Sequence, residues 1–398
     1  MTATAASYSA ATATRYVTLF RTGDPPQVCG LPYELRYFIV DGNASGVSFG
    51  ELAVWPTITQ CGGIDNSCKG LDPDGTTWQP SAATDDRWAV FGYHRSPVNG
   101  GFMEINALRF APAGTHANDL VKDSAYPTGA PACLTLAVAV ASSERRDGND
   151  KILVAYMRGT TTVDAWVLAA TLYVPGSAPV DLQDTVPCDG ATCARGATSL
   201  DVEAAYNALE DKFLAVSVLS QFSPNPRVVG RIFDAQTGAL GPRVDFGGPA
   251  AGEHNQVGVA SIPLSTANPE HEWVVFVGTR RYHVRPDGTF SSGTIDPPPN
   301  PVAGQWTLNW TDAPSDAYDY ERLLDAPAAG QAVSSARYPA GFSPAGEIFP
   351  LDWPTIIGYP EDLAHDYTSN HSIANWSVWT CPSPTYCDAG FRWRVIDQ

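Results

Sequence analysis

Short apolar runs cut by turn residues repeat along the chain. The clearest instance is TSLDVEAAYNALEDKFLAVSVLSQFSPNPRVVGRIFDAQTGALGPRVDF, from Thr198 to Phe246. Asp201 to Tyr206 reads as a first strand, Lys212 to Leu219 as a buried second strand and Val228 to Phe233 as a third. Each is a run of β-branched, aromatic and small apolar residues bounded by turn formers. ALED makes the first turn, and DAQTG makes the last, where Gly238 supplies the positive φ of a tight turn. No long window keeps a helical period, and Gly (35) and Pro (33) punctuate the chain, so the pattern predicts an all-β fold with little helix.

Two register marks recur. A strand closing on an aromatic or apolar residue before a Gly turn appears at Phe38, Phe110, Tyr173, Phe233, Val284 and Tyr338. FRWRVIDQ, centred near Val395, is the seventh instance. Buried strands beginning at Arg87, Lys151, Lys212 and Glu272 keep the same spacing. A period of about 60 residues built from short antiparallel strands means propeller blades, so residues 1–398 are expected to form a single β-propeller domain of seven blades. Six blades with a decorated loop is the alternative, because TDAPSDAYDYERLLDAPAAGQ reads as an insertion without a clean second strand. The last repeat is incomplete. That predicts closure by N- and C-terminal strands sharing a blade, with residues 1–14 or the strand at Arg15 covering an otherwise open sheet edge.

The wording DVEAAYNALEDKFLAVSV followed by VVGRIFDAQTGALG is similar to the repeat of secreted bacterial β-propellers, in which a DVAYN strand, a YLVVW strand and a GxRxxAxGxxLG strand recur. The match covers one blade well and two others in part. The resemblance implies an extracellular propeller and transfers no catalytic residue, since members of that family carry varied functions. DPDGTTW, from Asp72 to Trp78, looks like the Asp-box turn of sialidases, with its Asp one position displaced and a single copy; its plain reading is a β-turn that buries Trp78.

Charge narrows the partners. With 24 basic against 42 acidic side chains and a net charge of -18, the chain lacks the clustered Lys and Arg that phosphate backbones require, so no nucleic-acid partner is expected. No apolar run is long enough for a transmembrane segment, and MTATAASYSAATATRYVTLF lacks the charged start and apolar centre of a signal peptide. Eight cysteines then set the compartment. Cys61 with Cys68, Cys188 with Cys193 and Cys381 with Cys387 stand close together in Gly, Pro, Ser or Asp-rich loops, which predicts three local disulfides. Cys29 with Cys133 is left by elimination. The spacings are not CxxC and no histidine stands at ligand spacing, so zinc is the weaker explanation and no metal site is expected. Disulfides imply an oxidising location, extracellular or at the cell surface. The sequons at Asn43, Asn309, Asn370 and Asn375 would accept glycans there.

Candidate chemistry comes from register. Arg21, Arg95, Arg158 and Arg280 each fall at the end of a second strand, so four blades would carry an arginine at one edge. Pairing with carboxylates of adjacent blades is one role for them. A ring of planar donors for carboxylate or sulfate groups is the other. His94 adjoins one of these arginines, and His254 stands where Asp201 stands one blade earlier. An imidazole among arginines can act as a general base, the arrangement of a uronate lyase, although a lone histidine is commonly a satisfied loop residue. There is no GxSxG, HExxH, P-loop or dinucleotide fingerprint, and catalytic residues are not identifiable. No cofactor is expected, although Asp147, Asn149 and Asp150 in SERRDGNDK would offer oxygens to a structural calcium ion. Trp376, Trp379 and Tyr386 are candidates to stack on sugar rings.

The expected function is that of a secreted or surface-exposed propeller binding a carbohydrate, an acidic glycan among the candidates, or another extracellular macromolecule such as a surface protein. Polysaccharide lyase or glycoside hydrolase action on an acidic polysaccharide is the alternative. A structural subunit of an extracellular assembly is the third.

Overall fold

The computed structural model describes residues 2–22, 33–43, 46–59, 74–81, 83–95, 104–122, 138–143, 150–159, 166–183, 202–219, 227–248, 257–261, 272–277, 280–294, 308–309, 320–324, 334–338, 347–350, 357–366, 371–383 and 386–397. The chain is all-β and of the propeller class: successive sheets, each an antiparallel meander in sequence order. It divides into two compact units, Met1–Gly248 and Pro249–Gln398.

Unit 1 holds four four-stranded sheets. The first comprises β1 (Thr2–Ser9), β2 (Ala13–Thr22), β3 (Tyr33–Asn43) and β4 (Gly46–Thr59). The second comprises β5 (Asp74–Trp78), β6 (Trp88–Arg95), β7 (Glu104–Phe110) and β8 (His116–Lys122). The third is β9 (Val138–Ser142), β10 (Ile152–Gly159), β11 (Trp166–Tyr173) and β12 (Val180–Gln183). The fourth is β13 (Val202–Asn207), β14 (Lys212–Leu219), β15 (Arg227–Asp234) and β16 (Leu240–Gly247). Unit 2 continues with β17 (Val257–Ser261), β18 (Trp273–Val277), β19 (Arg280–Val284) and β20 (Phe290–Thr294). Its second sheet is β21 (Leu308–Asn309), β22 (Tyr320–Leu324), β23 (Ser334–Tyr338) and β24 (Glu347–Pro350). Its last is three-stranded, β25 (Ile357–Asp366), β26 (His371–Ser383) and β27 (Tyr386–Asp397).

Both register marks fall where the period puts them: the aromatic or apolar mark lies on each third strand, and the buried runs are the second strands β6, β10, β14 and β18. Three expectations are corrected. The stretch 198–246 contains a fourth strand, β16, which reads poorly because Pro242 interrupts it; an edge strand tolerates a proline since its outer N–H has no ladder partner. The supposed insertion before residue 331 contains a second strand, β22 (YERLL), whose charges disguised it. Residues 2–9 do not complete the last sheet: β1 pairs with β2 throughout, and among the described residues the last sheet comprises β25, β26 and β27.

The first strands lie side by side, β1 to β5 to β9 to β13 in unit 1 and β17 to β21 to β25 in unit 2. Being sheet edges, they carry unpaired backbone groups that need partners. Side chains of β5 supply two: Thr77 Oγ1 donates to the Ala6 carbonyl of β1 (3.0 Å), and Asp74 Oδ2 accepts the Val140 N–H of β9 (2.6 Å). Between the first two sheets, Val17, Leu19 and Tyr37 pack on Phe91, Leu108 and Phe110, with the Tyr37 and Phe110 rings edge to face at 4.6 Å. A second apolar cluster runs through sheets two to four. Burying one such aromatic stabilises by about 2–3 kcal/mol.

Turns between third and fourth strands repeat one design. Gly114, Gly176, Gly238 and Gly288 take φ of 87°, 84°, 72° and 84°, the left-handed region that Gly enters without penalty. Asp234 closes its turn by accepting the Thr237 hydroxyl (2.7 Å) and the N–H groups of Gln236 and Thr237, which hold its carboxyl below the usual range. Basic residues beside the second strands then clasp the turn of the following sheet: Arg15 Nη1 donates to the Pro112 carbonyl (3.0 Å), and Lys151 Nζ donates to that of Gln236.

Candidate functional site

Each meander has two ends. At one, the first strand starts, the second finishes and the third starts. Asp74 opens β5 at that end of the second sheet, opposite Gly92 in the ladder. Its Oδ1 accepts the N–H of Gly75 (2.8 Å) and its Oδ2 that of Val140. A methyl group at Gly92 would overlap Val138 and Val140, so the third sheet presses directly on the carboxyl's surroundings. Asp74 is densely enclosed yet keeps part of its surface open to solvent, which makes it recessed rather than sealed. Desolvation pushes its carboxyl up to about 7, against the lowering effect of the Val140 and Gly75 N–H groups. A partly accessible carboxyl that changes charge near neutrality can accept or donate hydrogen bonds to sugar hydroxyls and can move a proton.

Register brings the arginines of unit 1 to this same end. Arg21 pairs with Leu35, Arg95 with Glu104 and Arg158 with Val167, each a few residues beyond the partner of its sheet's first-strand start. His94 precedes Arg95 on β6. Since β1, β5 and β9 stand side by side, the arginine-bearing ends of three successive sheets line up. Arg280 is corrected: it opens the third strand β19, exposed, because the second strand stops at Val277. It still occupies the corresponding end of its own sheet in unit 2. Asp201 and His254 lie outside the described residues.

At the opposite end of that unit 2 sheet, Glu272 Oε2 and His283 Nδ1 are 2.9 Å apart and Arg285 Nε is 3.4 Å from Glu272 Oε1. The His283 hydrogen bond lowers the Glu272 carboxyl. Glu272 and His283 are both buried, which suits a clamp within the sheet better than a ligand contact.

The remaining candidates are placed as follows. Cys29, Cys61, Cys68, Cys133, Cys188 and Cys193 lie outside the described residues. Cys381 lies on β26 and Cys387 on β27, both in the irregular stretch between the Thr380–Asp388 and Ser383–Tyr386 pairs. Trp376, Trp379 and Tyr386 belong to the same two strands. Asp147 and Asn149 lie outside the described residues, while Asp150 is buried and its carbonyl accepts the Trp78 indole N–H (3.0 Å). Trp78 is buried as the plain reading of DPDGTTW expects, but the β-turn of that reading is corrected: Asp74–Trp78 is strand β5, paired residue by residue with β6. Among the described residues, no cluster of three or more His, Cys, Asp or Glu side chains is placed to hold a metal ion, and no helix is long and apolar enough to cross a membrane.

Sequence reasoning passed over Asp74. The signal available was its position at the start of an inner strand, two residues after Asp72 in a turn already marked as unusual.

No protein-family model matches the chain, and no curated protein does. Solved structures do resemble it. An α-L-arabinanase of Penicillium chrysogenum, complexed with arabinobiose, is 13% identical over 77% of this chain and 88% of its own, with a TM-score of 0.49. A Trypanosoma rangeli sialidase in complex with sialic acid is 10% identical over 95% of this chain and 58% of its own (TM-score 0.47). The β-propeller domain of the trilobed protease from Pyrococcus furiosus is 8% identical over 78% and 93% (TM-score 0.37). No residue, ligand or activity passes from these proteins to this chain.

Proposed function

We propose that this chain binds a carbohydrate, an acidic glycan in particular, at the end of unit 1 where the first strands begin. The observation that supports it is the register of Arg21, Arg95 and Arg158, which brings three guanidinium-bearing positions to one end of three neighbouring sheets. Guanidinium forks bind carboxylate and sulfate groups in bidentate fashion. A local cluster is what an anionic ligand needs on a chain whose net charge of -18 would otherwise repel it. His94, next to Arg95 in the chain, extends the same reading. The cysteine pairs support an extracellular or cell-surface setting for it.

Cleavage of the glycan is the second reading, and Asp74 favours it, because a carboxyl poised at about 7 is suited to general acid or base work. One experiment addresses both. The purified protein is tested for retention on pectate, alginate, chondroitin sulfate and dextran, and the eluates are assayed for new reducing or unsaturated ends. Retention on the acidic polymers and not on dextran is expected. Equal retention on all four, or on none, contradicts the proposal, and new ends would establish cleavage.

A further inference from the structure

The outer strands of the fourth sheet bring together two cations in a chain with 24 basic against 42 acidic side chains. Phe233 of β15 pairs with Leu240 of β16, but a slip of one residue at Gly241 and Pro242 then sets Arg243, not Pro242, opposite Arg231. Directly paired residues share a face of the ladder. Arg231 alternates with Val229 and Phe233, which pack in one apolar cluster with the third sheet, so both arginines belong to the face turned toward that sheet. Each is half-buried. Like charges directly opposite on a ladder repel, and a carboxylate would ordinarily offset them. Every carboxylate on β11, β12, β15 and β16 is already engaged. Asp245 is held by Arg227, Asp181 by Lys122 of the second sheet, and Asp234 by the Thr237 hydroxyl and N–H of its own turn. Among the described residues Arg243 makes no hydrogen bond or ion pair.

We propose that Arg231 and Arg243 form an anion site, separate from the end where the first strands begin, that takes one tetrahedral oxyanion, a sulfate or phosphate group. A guanidinium fork binds an edge of two oxygens. A carboxylate has one such edge, whereas a tetrahedral oxyanion offers an edge to each of two forks and cancels the repulsion between them. Half-burial strengthens the attraction over that of exposed cations. One pair along the ladder on the same face, Leu240 is 40% exposed and gives apolar surface to the carbon skeleton of an ester. The site therefore suits the free ion and its sugar ester alike.

Isothermal titration of the whole chain with galactose sulfate, galactose phosphate, sodium sulfate and galactose, at fixed ionic strength, tests the site. The anions should bind and galactose should not. Tighter binding of the esters than of free sulfate makes a sugar ester the source, equal binding makes it the free ion, and either supports the proposal. Arg243→Gln should weaken binding about tenfold or more, and Arg243→Lys, which keeps the charge without the fork, should recover only part of it. The unaltered protein gives a second readout, so the matter is decided even if a variant does not fold: modification of arginines by phenylglyoxal, mapped by peptide mass, should spare Arg243 when galactose sulfate is bound. Undiminished binding by Arg243→Gln, modification of Arg243 unaffected by saturating galactose sulfate, equal binding of galactose, or no binding of any anion overturns the site. None of these outcomes touches the glycan-binding reading of the first-strand end, whose arginines lie on other sheets.

Discussion

The carboxylate of Asp74 and the main-chain N–H of Val140 meet at 2.6 Å, joining the first strands of the second and third sheets through one side chain. The bond satisfies an edge donor, but the desolvation that surrounds it opposes the charge that makes it strong. Asp74 therefore holds its proton more tightly in the folded chain, at about 7 against 3.8. The stability from that proton is fully present below about pH 4 and is lost as pH rises through about 7, a swing of the order of 3 kcal/mol after allowing for solvent on the open side. Asp74→Asn should lack this swing. In thermal unfolding it is expected to be less stable than the parent at about pH 5 and equal or more stable at about pH 8.5. A constant difference between the two across that range would contradict the shift.

Lys151 reaches from the third sheet to the Gln236 carbonyl in the fourth sheet's turn, as Arg15 reaches from the first sheet to the Pro112 carbonyl in the second. A charged donor to a carbonyl contributes roughly 1–2 kcal/mol. Lys151→Met keeps the apolar stem and removes the donor. Its unfolding free energy should fall by that amount, seen as a lower chemical denaturation midpoint without a change in slope, and an unchanged midpoint would make the clasp incidental.

Gly238 combines a φ of 72° with the Leu182 side chain pressed against it. An added methyl meets both obstacles. Gly238→Ala should cost about 2–3 kcal/mol, where Gly176→Ala, with a φ of 84° and open space around it, should cost only the backbone share of about 1 kcal/mol. Equal losses in calorimetry would show that the packing on Leu182 contributes nothing.

Phe110 is fully buried between Tyr37 and Phe91, with ring centroids at 4.6 and 5.8 Å. Phe110→Ala should lower unfolding free energy by about 3–5 kcal/mol. A loss under about 1 kcal/mol would mean that the first two sheets do not depend on this contact.

The strands were legible wherever burial made them continuous apolar runs. WAVFGYHR, ILVAYMRG, KFLAVSVL and WVVFV needed no tertiary information, and the Gly turn after each third strand gave the period. Fourth strands were not legible. β16 alternates exposed and buried positions and carries Pro242, a pattern that an edge strand shares with a loop. β22, a second strand, was hidden for a different reason, its run YERLL being too short and charged to stand out. At the candidate site, Arg21, Arg95 and Arg158 were found because they recur at the period. Asp74 was not, since what sets it apart is the Val140 N–H and the valines of another sheet, sixty-odd residues away, which no local pattern encodes.

The central claim is that the arginine end of unit 1 holds an anionic glycan. It is tested most directly by the affinity of the parent and of Arg158→Ala for an acidic oligosaccharide and for a neutral one of the same length, measured side by side at about pH 6. Loss of one charge-assisted contact should weaken acidic binding by about 2 kcal/mol, roughly 30-fold, and leave neutral binding unchanged. Equal affinity of parent and variant for the acidic ligand would contradict the account and leave Arg158 as a residue that pairs with carboxylates between sheets.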